Sequence, residues 1–164
     1  MNALAAVAMA LLLMLAEQFR SRANETALRR QGAFEPPGDV YRAMAWVYPA
    51  SFVAMGAEGW WHAGAGSSLW GLAIFGVAKL LKYWAIVSLG PRWTFRVLVL
   101  PGAPLVTRGP YAWVRHPNYI AVIGELIGFA VLVGAPGTAV VVIYLFARLL
   151  RRRVKIEDRA LRGT

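Results

Sequence analysis

The sequence predicts an all-α, polytopic membrane protein with five transmembrane helices, folded as a single domain over residues 1–164. Three observations support this fold class. The chain is 59% hydrophobic and only 16% charged, whereas a soluble domain is about a quarter charged. Several apolar runs approach the roughly 20 residues that a helix needs to cross a bilayer. Finally, no serine- or glycine-rich linker and no block of charges divides the chain.

The five predicted spans cover residues 3–19, 43–61, 68–89, 119–133 and 138–150. The first is not predicted to be a signal peptide, because no basic residue precedes its apolar core and RSR follows it. The last two are short and are joined by GAPG, which predicts a tight helical hairpin. The fifth helix is expected to continue past its apolar part into the arginine-rich tail.

The distribution of basic residues predicts the orientation. Most of the 18 Lys and Arg residues lie in segments 20–42, 90–118 and 151–164. The N-terminus and the turns at 62–67 and 134–137 contain none. The positive-inside rule therefore predicts an outside N-terminus and a cytoplasmic C-terminus. The net charge is +10, and the basic residues that cause it lie between the apolar runs. This placement indicates contact with anionic lipid headgroups and no nucleic-acid partner.

The stretch GPYAWVRHPNY, residues 109–119, is the first candidate site. Pro117 keeps His116 out of helical geometry, so the fourth helix is expected to begin at about Asn118. The free N–H groups of that helix start favour an anion such as a carboxylate. Aromatic surface for a base or a cation is supplied by Tyr111, Trp113 and Tyr119. An interfacial aromatic belt with a proline helix start is the purely structural alternative.

The tail RRRVKIEDRAL, residues 151–161, is the second candidate site. Arg153 and Glu157 are four residues apart and share one helix face. An exposed ion pair is the simple interpretation of this spacing. The predicted hairpin brings the tail to the same membrane face as 109–119, so that the two stretches would converge on one pocket there, facing the cytoplasm.

Ionisable residues within the spans form a third set of candidates, since intramembrane charge is costly. They are Glu17, Glu58, Lys79 and Glu125. Glu125 is favoured, because it lies about two turns into the fourth helix beneath 109–119. Glu17 and Lys82 are expected to snorkel to the cytoplasmic interface, and Glu58 is expected to be structural. Without cysteines, and with two histidines far apart, no metal site is expected.

The motif GPYAWVRHPNYIAVIGELIG and a final helix ending in RRRVKIEDRAL resemble the isoprenylcysteine carboxyl methyltransferase family. The resemblance covers about residues 88–161, including LGPRWTFRVLVLPGAPLVTRGPY. It implies a membrane-embedded enzyme that uses S-adenosylmethionine without a Rossmann domain. The N-terminal part is similar to a bacterial subgroup associated with type III polyketide synthases, which implies alkylpyrone or alkylresorcinol acceptors and a polyketide synthase as a pathway partner.

The resemblance also implies roles for individual residues. His116, Pro117 and Tyr119 would help to hold the cofactor, and Glu157 would do so from the tail. Arg153 would lie near the reacting group. Tyr111 and Arg115, in the same stretch as His116, complete the predicted cofactor site. Where family members often carry two glutamates in the tail, this chain has Glu157 followed by Asp158.

The expected activity is therefore methyl transfer to a carboxylate or an acidic hydroxyl of a lipophilic small molecule. A carboxylate needs no base, and Arg153 would orient it. A phenol or enol would benefit from deprotonation by His116 or Glu125. Three alternatives stay open: a phospholipid N-methyltransferase, an NADPH-dependent sterol-type membrane reductase and a non-catalytic membrane scaffold.

Overall fold

A computed structural model describes residues 2–62 and 68–162 of the protein, and in these ranges it contains five α-helices and no strand. The helices are α1 (Ala3–Arg30), α2 (Tyr41–Trp61), α3 (Leu69–Leu89), α4 (Pro117–Val133) and α5 (Pro136–Arg162). Two short 3-10 helices, Gly90–Arg92 and Gly109–Ala112, interrupt the connection from α3 to α4. The predicted all-α class is confirmed. Apart from His62, the predicted turn at 62–67 lies outside the described residues.

The helix boundaries agree best with the prediction where turn residues fix them. α4 ends at Val133, Gly134 has the left-handed φ of 71°, and α5 begins at Pro136. This confirms the tight hairpin at GAPG. α5 continues through the basic tail, as expected. The first helix, however, ends at Arg30 rather than at residue 19, because a polar sequence of good helix formers prolongs it beyond its apolar part.

Two helical segments of the described chain have the length and apolar composition to cross a bilayer, Ala3–Arg30 and Leu69–Arg92, while Pro117–Val133 is apolar but shorter. Large apolar side chains also face outward on several helices, among them Leu12, Trp46, Val77 and Val140. So much exposed apolar surface indicates contact with lipid. The number of spans and their orientation stay a prediction.

The closest helix pair is α3 with α4, and small residues make its close approach possible. A Cβ added at Gly128 would overlap the backbone of Phe75, and one at Gly71 would overlap the backbone of Leu132. Gly124 faces the methyl group of Ala78. Small residues four apart, as in Gly124 and Gly128, let transmembrane helices approach to backbone contact.

An apolar core fills the space between this pair and the remaining helices. Phe52 of α2 contacts Phe129 of α4 edge to face, with ring centroids 4.8 Å apart. Met55, Leu126 and Phe146 are buried in the same cluster. Edge-to-face aromatic pairs contribute beyond their buried area, so this core fixes α2 and α5 against α4.

At one end of the bundle, the α3–α4 connection folds over the end of α1. The Asn24 side chain donates to the carbonyl of Trp93 at 2.7 Å. The backbone of Phe95 donates to the Ser21 hydroxyl at 2.7 Å. Phe34 and Val99 form an isolated antiparallel bridge. The connection 31–40, the basic connection 90–116 and the basic C-terminal end of α1 are therefore held together at one end, where the tail of α5 also lies.

At the opposite end, Glu58 of α2 caps the start of α5. Its carboxylate accepts hydrogen bonds from the backbone N–H of Gly137 at 2.9 Å and of Thr138 at 2.5 Å. A carboxylate at a helix N-terminus satisfies free donors and opposes the helix dipole. This agrees with the structural role expected for Glu58.

Candidate active site

A cavity of about 380 Å³ lies between the helices and reaches the end where the basic connection 90–116 and the tail of α5 lie. Its size is within the range of small-molecule sites, about 300–1,000 Å³. Most of the site residues predicted from the sequence line it: Tyr111, Arg115, His116, Tyr119, Arg153 and Glu157. Pro117 and Glu125 are not among the described residues that line it. The two polar stretches thus converge on one pocket, as the predicted hairpin requires.

Tyr119 is the centre of this convergence. Its hydroxyl donates to Glu157 Oε2 at 2.5 Å and accepts from Arg153 Nε at 3.0 Å. The ring of His116 stacks on the Tyr119 ring, with centroids 5.2 Å apart and planes 15° apart. Arg153 and Glu157 are therefore joined through a tyrosine of another helix. They are not a simple exposed pair, since Arg153 is only 5% exposed.

His116 lies between the two acidic residues of the tail. Its Nε2 is 3.3 Å from Asp158 Oδ1, and its Nδ1 is 3.8 Å from Glu157 Oε2. The backbone of His116, with φ −128° and ψ 61°, is outside helical geometry, and Pro117 is the first residue of α4. Pro117 is buried and contributes by fixing where the helix begins, which places the His116 ring beside the tail.

Arg153 is held by acceptors inside the protein. Its Nη2 donates to the carbonyl of Phe95, and its Nη1 lies 3.4 Å from Asp39 Oδ1. The side chain of Asp39 is itself buried and accepts from the backbone N–H of Val97 at 3.0 Å. Sequence reasoning missed Asp39 and Phe95, because no motif marks them and only the folding of two connections brings them to Arg153.

Tyr111 and Arg115 form the outer part of the site. Burial and the nearby Glu157 carboxylate raise the pKa of Tyr111 to about 12, so its phenol is neutral and able to donate at physiological pH. Arg115 is exposed and has no ionic partner among the described residues. Trp113 instead packs on Trp84, with centroids 5.6 Å apart, and is not part of the described lining.

Similarity to known proteins places this geometry in a family. The family model described as isoprenylcysteine carboxyl methyltransferase matches residues 71–163, more than half of the chain. The chain belongs to the isoprenylcysteine carboxyl methyltransferase family. The match contains both polar stretches of the cavity. Membership makes the protein a membrane methyltransferase by class, and enzymes of this family use S-adenosylmethionine.

Two relatives of this family member are uncharacterized proteins. The protein YpbQ of Bacillus subtilis is 36% identical over 149 residues, which cover 89% of this chain and 88% of YpbQ. A protein of Haemophilus influenzae is 34% identical over 92 residues, 56% of this chain and 54% of its own. No solved structure matches the chain.

In the described part of the chain, Glu125 does not contact the polar residues of 109–119 or of the tail. It belongs to a separate buried polar cluster. Its carboxylate accepts from the Tyr48 hydroxyl, and its oxygens lie 3.2 Å from Lys79 Nζ and 3.4 Å from Lys82 Nζ. Glu17 lies 2.8 Å from Lys79 and 2.6 Å from Lys82. The expectation that Glu17 and Lys82 snorkel was wrong. They are 3% and 1% exposed, because each finds oppositely charged partners within the bundle.

Proposed function

We propose that this protein transfers a methyl group from S-adenosylmethionine to a carboxylate or an acidic hydroxyl of a lipophilic small molecule. The observation that carries the proposal is that one cavity joins the polar 109–119 stretch and the tail to an apolar interior. A water-soluble cofactor and a membrane-soluble acceptor can both reach such a cavity. The proposed location is the bacterial inner membrane, with the site facing the cytoplasm.

The described residues fit such a cofactor. Glu157 offers a carboxylate to an ammonium group, and the unpaired Arg115 offers a guanidinium to a carboxylate. The aromatic faces of Tyr111, His116 and Tyr119 suit a base or a sulfonium. When bound, the cofactor supplies an electrophilic methyl group. The residues that would hold it are Tyr111, Arg115, His116, Tyr119 and Glu157, with Pro117 setting the start of α4.

The charge of the cavity favours an acidic acceptor over an amine. Among its described lining residues, Glu157 is the one acidic side chain, against the five cationic residues Lys82, Arg92, Arg96, Arg115 and Arg153. Lys82, Arg96 and Arg153 are paired with carboxylates outside this lining, so the excess positive charge comes from Arg92 and Arg115. A pocket with excess positive charge attracts anions and disfavours a protonated amine. This supports O-methylation over phospholipid N-methylation. Apolar lining for an alkyl chain comes from Leu11, Met14, Leu15, Met44, Val122 and Phe146.

Alignment of the two reactants and exclusion of water are the main demands of this reaction. A carboxylate acceptor needs no base, whereas an acidic hydroxyl would lose its proton to His116, which lines the cavity. Glu125, the other predicted base, would have to act through Tyr48, since its own oxygens are enclosed. Arg153 was predicted to orient the acceptor. Because its donors are occupied, we propose that it positions Tyr119 and Glu157.

A labelling assay tests the proposal. The purified protein, in nanodiscs, is incubated with methyl-labelled S-adenosylmethionine and one of four acceptors: an alkylresorcinol, an alkylpyrone, a prenylcysteine analogue or phosphatidylethanolamine. The expected result is label on one of the first three, with the alkyl-substituted polyketides favoured by the subgroup resemblance. Label on phosphatidylethanolamine would establish N-methylation instead. No transfer to any acceptor, together with no binding of S-adenosylhomocysteine, would contradict the proposal.

A further inference from the structure

The buried polar cluster consists of Glu17, Tyr48, Lys79, Lys82 and Glu125, contributed by four different helices. Its two carboxylates and two ammonium groups balance in charge. Burying ions in this way is costly, and well-packed apolar residues often replace such pairs without loss of stability. Ionisable groups deep in an apolar bundle are therefore candidates for function.

The two lysines of the cluster differ in one respect. Lys82 lines the cavity and Lys79 is not among the described residues that do so, although both contact Glu17 and Glu125. Tyr48 is the other cluster member in the described lining. Lys79 approaches Glu125 to 3.2 Å, and Lys82 remains at 3.4 Å from it. Lys79 and Tyr48 can therefore hold Glu125 while Lys82 turns a donor toward the cavity.

The position of Lys82 separates it from the polar mouth of the cavity. Glu125 follows Tyr119 by six residues on α4, which is about 9 Å along a helix axis. Around this deeper part the cavity wall includes Met44, Val122 and Phe146. Charge interactions are stronger in such apolar surroundings than at the mouth. An ammonium there is suited to the acidic oxygen of an amphiphile whose chain contacts the apolar wall.

The other cationic side chains that line the cavity have different interaction partners. Arg96 pairs with Glu35 at 2.9 Å, Arg153 lies beside Asp39, and Arg92 donates to the carbonyl of Pro104. Arg115 is unpaired among the described residues but exposed at the mouth. Among the described cations of the lining, Arg153 and Lys82 are buried. Lys82 differs from Arg153 because a second cation, Lys79, lies beside the same carboxylate and can hold it when Lys82 moves.

We propose that Lys82 is the anion-binding group of the cavity and holds the acidic oxygen of an amphiphilic ligand. That this ligand is the methyl acceptor rests on the proposed function. The binding site itself requires only the cavity and the cluster. Lys82 exchanges its hydrogen bond to Glu125 at 3.4 Å for the ligand oxygen, while its ion pair with Glu17 at 2.6 Å stays and Lys79 keeps both carboxylates paired. Lys82 is in this sense a specificity residue that selects acids over neutral or cationic amphiphiles.

The experiment compares a fluorescent amphiphile in acid and neutral form. Parinaric acid and its methyl ester are titrated, at a pH where the acid is ionised, into the protein in phosphatidylcholine nanodiscs. Energy transfer from Trp93, which lines the cavity and is 2% exposed, reports binding. It is obtained by subtracting the signal of the same protein with Trp93→Phe, which keeps the lipid-facing tryptophans such as Trp46. The test variant is Glu125→Gln/Lys82→Met, which keeps the Lys79–Glu17 pair, and the control is Glu125→Gln/Lys79→Met, which keeps the Lys82–Glu17 pair. Both remove one carboxylate and one ammonium, so the cluster stays neutral and the cost to folding is matched.

We expect the wild-type protein and the Lys79 control to bind the acid more tightly than the ester, by about tenfold for one charge-assisted hydrogen bond. The Lys82 variant is expected to bind both forms equally, with a Tm like that of the control. Equal loss of acid preference in both variants would show a structural role and overturn the proposal. Acid preference that survives in the Lys82 variant and disappears in Arg115→Gln would also overturn the proposal. A wild-type protein that binds acid and ester equally would overturn it as well.

Binding of S-adenosylhomocysteine to the same preparations separates this inference from the proposed function. Acid preference that depends on Lys82, without binding of S-adenosylhomocysteine, would support the anion site and contradict the methyltransferase assignment. Binding of S-adenosylhomocysteine together with an acid preference independent of Lys82 would support the methyltransferase assignment and contradict the anion site.

Discussion

Tyr119 shows how a single side chain connects the two polar stretches. Its hydroxyl accepts from Arg153 and donates to Glu157, and its ring supports that of His116. The hydroxyl proton is thus directed to the carboxylate and the lone pair to the guanidinium, which is the arrangement that a neutral phenol can satisfy. Any ligand bound by Glu157 is oriented by this contact.

Arg153 provides the prediction at this scale. Arg153→Ala removes the ionic partner of the buried Asp39 and is expected to lower both Tm and kcat. Arg153→Lys keeps a positive charge near Asp39 but cannot donate to Tyr119, Asp39 and Phe95 at once. We therefore expect the lysine variant to retain a Tm near that of wild type while kcat falls about a hundredfold, if orientation contributes about 3 kcal/mol.

Thermal unfolding and steady-state kinetics on the same preparations separate these effects. A lysine variant with full turnover would show that the forked geometry of Arg153 does not matter for catalysis. A lysine variant as unstable as the alanine variant would assign Arg153 to folding alone.

At the scale of elements, the α3–α4 pair depends on backbone contact at glycines. Gly128 faces the backbone of Phe75, whereas Gly76 has no atom near the position of an added Cβ. Both glycines lie inside helices. The same substitution therefore has opposite consequences at the two positions.

We predict that Gly128→Ala destabilises the protein by about 1–3 kcal/mol, because the helices must separate to admit the methyl group. Gly76→Ala should be neutral or stabilising by up to about 1 kcal/mol, since alanine favours helix more than glycine does. Denaturation of the two variants in the same detergent measures the difference. Equal stability of both would mean that the close approach of α3 and α4 does not exist.

Glu35 supplies a prediction about pH for the connection between α1 and α2. Partial burial acts to raise the pKa of Glu35, but hydrogen bonds and charge from Arg29 and Arg96 outweigh it and lower the pKa below its usual value. A lowered carboxyl pKa stabilises the folded state above the usual carboxyl pKa, and this contribution is lost as pH falls through the lowered value. Glu35→Gln should therefore cost about 1 kcal/mol or less at neutral pH.

The cost of Glu35→Gln is expected to disappear at acid pH, where the wild-type carboxyl is protonated as well. Thermal unfolding of both proteins across the acid range measures it. A difference that stays constant with pH would exclude the ion pairs as its cause.

Local signals made part of this architecture predictable. The GAPG hairpin and the start of α4 follow from glycine and proline, which act within a few residues. The convergence of His116, Tyr119 and Glu157 followed from the hairpin. The partners of Arg153 and the pairing of Glu17 with Lys82 were not predictable, because they depend on contacts between distant segments. Glu17 and Lys82, for example, are more than sixty residues apart in the chain. No pattern along the chain records such contacts.

At the scale of the whole molecule, the basic end of α1, the basic connection 90–116 and the basic tail of α5 lie at one end of the bundle, and Glu58 caps α5 at the other. This arrangement is what a positive-inside membrane protein needs. We predict that a reporter inserted at Gly134 lies outside and that one fused after residue 162 lies in the cytoplasm. A reporter at Gly66, in the turn at 62–67, is predicted to lie outside as well, and Gly66 is not among the described residues. A cytoplasmic signal at Gly134 would contradict five spans.

The central claim is that the cavity between 109–119 and the tail holds S-adenosylmethionine. Calorimetric titration of the purified protein with S-adenosylhomocysteine and, separately, with NADPH tests it most directly. We predict binding of S-adenosylhomocysteine, weakened about tenfold or more in Glu157→Gln and Tyr119→Phe by the loss of a hydrogen bond to a charged group, and no binding of NADPH. Binding of NADPH, or S-adenosylhomocysteine affinity unchanged in both variants, would contradict the account.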